Sequence, residues 1–273
     1  MLFKEIHHPW TTYVIRFTPP TAGTWRYTTK SSLPALDGLK GMLKAEPASA
    51  DRKGGVIVNP QSTRQFYDEN GESYYPIASE SDWLFALDSE NKEDFPVIRT
   101  FVDQLANEGF NQIVMNVFPY DVKWAKDGKL DTNYEYGSPR VFPFGGDNTT
   151  PDYATLNVDY FQRLDRVIDY LDRKGIAAHL MIYVWNKQVH WPEADNRYFD
   201  YVVKGYQAFP NMVWDISKEA LGYGHTDVNY ISQRIERLRR LDAYKRLVTV
   251  HDYGYCKKFP QKLDFISVQL WAS

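Results

Sequence analysis

The chain has 273 residues, a length that suits one large domain, or one large domain with a small appendage. Its formal net charge of −3 gives no basis for a polyanionic partner, so nucleic acid is not expected. A single cysteine, Cys256, excludes an internal disulfide and a cysteine-built metal cage, and no stretch reaches the roughly 18 apolar residues of a membrane span.

The opening "MLFKEIHHPWTTYVIRF" places charges and histidines where an export signal would have its apolar run, so no signal peptide is visible. Residues 1–50 read as β. "TTYVIRFTPP" and "GTWRYTTKS" are two β-branched and aromatic runs around a Pro/Gly turn, which predicts a hairpin, and a further short strand is expected at Met42 to Ala45. Three short strands do not form a stable sandwich alone, so this part is expected to be the tail of a larger β domain or to pack on the rest. From Gly55 the pattern changes. "GVIVN" and "RQFYDENGESYYPIASESDWLF" predict strands around the turn "DENG", leading to a buried strand near Tyr75 to Ser79.

Helix and strand patterns then alternate. "DFPVIRTFVDQLANEG" carries Asp94 as the expected N-cap, Pro96 early and Gly109 past the end, with Val97, Ile98, Phe101, Val102 and Leu105 at helical spacing. "NVDYFQRLDRVIDYLDRKG", "NRYFDYVVKGYQAF" and "DVNYISQRIERLRRLDAY" repeat the scheme. Short apolar runs follow at 111–118, 176–185, 211–217 and 246–253, and a sixth at 263–271 comes without a clear helix before it. Runs apolar on both faces are what a helix-covered parallel sheet requires. No GxGxxG or GxxxxGK[ST] follows the first strand, which removes support from nucleotide-binding open sheets.

Polar and aromatic residues gather at the carboxyl ends of these strands: Asn116, Tyr183 with Trp185, Glu219, His251 with Asp252, and Gln269 with Trp271. That is where barrel enzymes hold their chemistry. The fold class read here is therefore α/β, an incomplete (β/α)8 TIM barrel of about six strands over residues 55–273, preceded by the last strands of a β-sandwich over 1–50. Eight strands need about 250 residues, so the chain is expected to be truncated at both ends. Aromatic content of 16% suits a groove that stacks on sugar rings, or simply a large core. No metal or cofactor is expected: His179 lies deep in its strand and "HHPW" is an isolated pair.

"FPNMVWDISKEALG" resembles the fourth-strand motif of the apiosidase-like and related clan-A-type (β/α)8 glycoside hydrolases. The matching residues are Phe209, Pro210, Asn211, Trp214 and Glu219. "SYYPIASESDWLF", "GFNQIVMNVFPYD" and "IDYLDRKGIAAHLMIYVW" resemble the first, second and third barrel units, and "TAGTWRYTT" with "LDGLKGMLKAEPAS" the preceding β-sandwich. The resemblance implies a secreted or periplasmic glycosidase that degrades a plant- or microbe-derived polysaccharide or oligosaccharide. It makes Glu219 the general acid/base and puts the nucleophile on a seventh strand, so that the chain as given would be inactive or nearly so. Glu80, Asp82, Trp83, Asn116, Tyr183, Trp185, Lys218, His251, Asp252, Gln269 and Trp271 are the expected substrate-binding residues. The clan usually carries Asn directly before the acid/base, where it binds the sugar 2-hydroxyl. Lys218 stands there instead, leaving two readings open: an anionic group of the sugar contacts the lysine, or Glu219 is not the acid/base. The alternatives are a non-catalytic carbohydrate-binding barrel and a barrel lyase or isomerase with Lys218 as base.

Overall fold

The computed structural model describes residues 2–7, 10–49, 52–59, 61–82, 84–88, 91, 94–117, 143–147, 150–183, 195–219, 221 and 227–268. Its centre is a five-stranded parallel sheet whose strands are neighbours in chain order: β8 (Ala78–Glu80), β9 (Gln112–Asn116), β12 (Ala177–Tyr183), β13 (Met212–Lys218) and β14 (Val248–His251). Between them run α1 (Pro96–Asn107), α2 (Val158–Arg173), α3 (Asn196–Tyr206) and α4 (Val228–Leu241), and α5 (Tyr253–Lys258) follows the last strand.

The helices cover one face only. Ile98 and Val102 of α1, Leu164, Val167, Ile168 and Leu171 of α2, and Ile231, Ile235 and Leu238 of α4 share one core with the strand residues Ile113, Met115, Leu180, Ile182, Trp214, Ile216, Val248 and Val250. The opposite strand positions carry Gln112, His179, Asp215 and Thr249, all buried. Sequential strand order with helices on a single face is the wall of a TIM-type barrel, since a doubly wound sheet would be covered on both faces.

The floor is made by a three-stranded antiparallel sheet: β5 (Val56–Asn59), β6 (Ser62–Asp68) and β7 (Ser73–Tyr74). Val56, Phe66 and Tyr74 pack against Ala177, Val213 and Leu247, which lie at the amino ends of their strands or just before them. Tyr74 donates its hydroxyl to the Asn111 carbonyl at 2.9 Å, and Arg246 pairs with Glu69 at 2.9 Å. A cavity of about 290 Å³ at this end is lined by Tyr74, Gln112, His179 and Phe265.

Several expectations are corrected. The two runs around the Pro/Gly turn do not pair with each other. β2 (Trp10–Ile15) pairs back onto β1 (Leu2–His7), and β3 (Gly23–Thr28) pairs with β4 (Lys40–Ala45). The segment between β2 and β3 is drawn onto the barrel instead. Arg16 ion-pairs with Asp165 and donates to Gly205, while Thr18 bonds Ala208 and Tyr244. Among the described residues the first 50 thus form two separate ladders. The first barrel strand is short and starts after Pro76, with Tyr75 and Ile77 exposed. Phe95 is the N-cap of α1; Asp94 binds the Phe95 amide, and it is Asp88 that accepts from Ile98. Residues 263–268 form no strand: beside β14 the Asp264 amide donates to the Val248 carbonyl, the Asp264 carboxylate accepts from the Val248 amide, and the Thr249 hydroxyl donates to the Phe265 carbonyl. Between β14 and this segment stands α5, capped by Asp252. Residues 118–142 lie outside the described residues; after them β10 (Phe144–Gly146) and β11 (Pro151–Leu156) pair as an antiparallel hairpin.

Candidate active site

The carboxyl ends of the strands form the mouth, and the arrangement there begins with one buried carboxylate. In β13, Met212, Trp214 and Ile216 face the helices, so the intervening Asp215 faces the interior, fully buried. Its Oδ2 meets His179 Nε2 at 3.0 Å, and its Oδ1 accepts from the amides of Ser217 (3.0 Å) and His251 (2.9 Å). The Gln112 amide group meets His179 Nδ1 at 3.0 Å; with Gln112 donating, the neutral ring carries its proton on Nε2 and donates to Asp215. Nothing in the sequence reading assigned this chain of three side chains. Its signal was an acidic residue inside the apolar run "MVWDIS".

Asp215 takes two amides that would otherwise serve the strand ladder, and the ladder yields. The pairing runs Trp214 with Val248 and Asp215 with Thr249, then slips to Lys218 with His251. One extra residue in β13 is a bulge, and a bulge re-aims the side chains that follow it. By strict alternation Lys218 would face the helices with Trp214 and Ile216. After the bulge it crosses the mouth, where its Nζ bonds Glu80 Oε1 at 2.7 Å and pairs with Asp82 Oδ2.

The three charges differ in their surroundings. The Lys218 side chain is 11% exposed, Asp82 10% and Glu80 41%. Burial raises the Asp82 carboxyl above its ordinary range, outweighing the lysine beside it. Burial also pushes Glu80 upward, but the hydrogen bond and charge of Lys218 prevail and hold it below the ordinary range. Burial would lower Lys218, and the two carboxylates together raise it. Asp82 Oδ1 is buried and has no hydrogen-bond partner among the described residues, and the same holds for Oδ1 of Asn116.

Glu219 follows Lys218 at the end of the strand. Its backbone is left-handed, φ +49°, and its amide donates to the His251 carbonyl at 2.7 Å. A left-handed non-glycine residue costs about 1–2 kcal/mol, and such strain gathers at functional positions. The side chain is half-buried, and its carboxylate has no hydrogen bond or ion pair among the described residues. Asp252 caps α5 through Tyr255 and also accepts from the Leu221 amide at 2.7 Å, which fastens the backbone just beyond Glu219.

The sequence-predicted residues therefore divide. Glu80, Asp82, Lys218 and His251 meet at the mouth, with His251 within electrostatic reach of both carboxylates. Asn116 faces the interior one turn of the strand above Val114. Tyr183 is buried instead, stacked on Phe199, with its hydroxyl donating to Asp195 at 2.7 Å. Trp83, Trp185, Gln269 and Trp271 lie outside the described residues. No group of metal-ligating side chains exists among the described residues, and no described helix is long and apolar enough to cross a membrane.

A family model described as "Apiosidase-like, catalytic domain" matches residues 60–272. Among solved structures, a Bacteroides vulgatus protein classed as a glycoside hydrolase superposes with a TM-score of 0.72, covering 91% of this chain and 50% of its own, at 24% identity. A glycoside hydrolase family 5 mannosidase from Rhizomucor miehei, bound to mannosyl-fructose, gives a TM-score of 0.56 at 12% identity, covering 81% of this chain and 62% of its own. A search of curated proteins found no match. The chain spans about half the length of the Bacteroides protein, and at these identities the likeness establishes the fold.

Proposed function

The chain belongs to the apiosidase-like catalytic-domain family, and from that membership we propose that it serves the hydrolysis of O-glycosidic bonds in a polysaccharide or oligosaccharide of plant or microbial origin. The family match over residues 60–272 is the observation that carries this reading. Glu219 is the general acid/base. It stands at the carboxyl end of the fourth barrel strand, in a strained backbone conformation, with a carboxylate that no described group engages. In that role it protonates the glycosidic oxygen as the bond to the leaving sugar breaks, then takes a proton from the incoming water or hydroxyl.

A glycosidase needs a second carboxylate, and the described residues assign none to the reaction, since Glu80 and Asp82 are both tied to Lys218. Release of reducing ends from a broad glycan panel tests the proposal. It is measured on this chain and on the full product of its coding sequence, wild type and Glu219→Gln. Loss of turnover by about 100-fold or more in the folded variant is expected. Unchanged turnover would remove Glu219 from the chemistry, and no cleavage of any glycan would remove the hydrolase reading. The second reading is a barrel that binds carbohydrate without cleaving it. The pairing of Lys218 with both Glu80 and Asp82 favours it, and binding without cleavage is its signature.

A further inference from the structure

Two oxygen atoms at the mouth are buried with no hydrogen-bond partner among the described residues, and both are acceptors. Asp82 Oδ1 belongs to a side chain 10% exposed, and Asn116 Oδ1 to a residue 1% exposed. Their positions are linked by strand register. Glu80 of β8 pairs with Val114 of β9, and the Ser81 amide donates to the Val114 carbonyl at 2.8 Å. Asp82 and Asn116 each lie two residues further on, so both follow the same paired step at the carboxyl end of the sheet. A buried acceptor left unmatched is costly and calls for an explanation, and at the mouth of a substrate site a ligand hydroxyl supplies one.

Lys218 sets what that ligand is. Its ammonium is already engaged by Glu80 and Asp82. The mouth therefore offers acceptors and negative charge, and the lysine has no charge left over for an anion. Resting on the proposed glycosidase reading, we infer that Asp82 and Asn116 form a hydroxyl-accepting subsite for a neutral sugar ring, with Lys218 as the clamp that orients Asp82. This replaces the reading in which Lys218 receives an anionic group of the substrate. Each acceptor takes one sugar O–H. A uronic acid brings a further acceptor and a like charge into the same space, which disfavours it.

The test measures binding, separately from cleavage. Saturation-transfer NMR is run on the full chain with 4-nitrophenyl glycosides of glucose, galactose, mannose, xylose and arabinose, and with the glucuronide and galacturonide. At least one neutral glycoside is expected to bind, about tenfold or more tightly than either uronide. Asp82→Asn keeps the shape and places a donor N–H where an acceptor stood. It is expected to weaken the neutral ligand by about tenfold, as is Asn116→Ala, with near-UV circular dichroism reporting that each variant folds. Lys218→Met is expected to lower affinity by a similar factor without creating uronide binding. A preference for a uronide overturns the inference. So does failure of every neutral glycoside to bind at millimolar concentration, or unchanged affinity in both folded Asp82→Asn and Asn116→Ala. Binding with no cleavage leaves this inference standing and removes the hydrolase reading, whereas cleavage unaffected by either substitution does the reverse.

Discussion

Lys218→Met removes the cation that bonds Glu80 and Asp82 while keeping most of the side-chain volume. Truncating one partner of a buried ion pair costs about 3–5 kcal/mol, because the other charge is left uncompensated. Only the Asp82 half counts fully here. Glu80 is 41% exposed, so water takes over its share, and Asp82 can relieve its own cost by binding a proton. A loss of about 3 kcal/mol at pH 7 is expected, with a fall in Tm of about 6–12 °C for a chain of this size. The pH dependence has a definite sign. Burial already raises the Asp82 carboxyl in the wild type, and without Lys218 it rises further. A carboxyl whose folded pKa exceeds its unfolded value binds more protons when folded, so the variant gains stability as pH falls from 7 towards about 4. Glu80 acts the other way in the wild type: its lowered pKa supplies stability above the unfolded value that is lost as pH falls through the folded one. Both effects narrow the gap between variant and wild type in acid. Urea melts between pH 7 and 4.5 measure this without the ionic screening of guanidinium. Adding Asp82→Asn to Lys218→Met should restore at least half of the loss. A penalty below about 1 kcal/mol at pH 7, or one that grows towards pH 4.5, refutes the reasoning.

Glu219→Gly should stabilise the fold by about 1 kcal/mol, since glycine accepts the left-handed backbone without strain; a urea melt checks this, and turnover should be lost if Glu219 is the acid/base. Asp215→Ala strips partners from His179 and from two buried amides and should cost about 3–5 kcal/mol. Hydrogen exchange at the Ser217 and His251 amides should rise by at least as much as the global change predicts.

The barrel units were legible because their strands are buried on both faces. β12 and β13 are buried at every position, and that leaves a continuous apolar run which no solvent-facing strand shows. Pairing in the first 50 residues was not legible. Which runs meet depended on Arg16 and Thr18 finding partners some 150 to 230 residues away, beyond what a local turn signal encodes. Among the site residues, Glu80, Asp82, Lys218 and Glu219 could be named from their places after strand ends. Their grouping could not, because period-two alternation separates Lys218 from the interior and only the slip beyond Asp215 returns it. Asp252 looked like a substrate contact from its place after a strand, whereas its two oxygens serve a helix start and the Leu221 amide.

The slip in β13 works like a frameshift written in space rather than in codons. Pairing β13 with β14 without the slip would leave every residue type intact yet exchange their addressees, sending the ammonium towards the helices and leaving Glu80 and Asp82 to repel each other. Deleting one residue between Asp215 and Lys218 instead removes the slip and keeps the lysine on the face of Asp215, two positions on. A relative aligned through this stretch with a one-residue gap would therefore be expected to keep its mouth charge without the bulge.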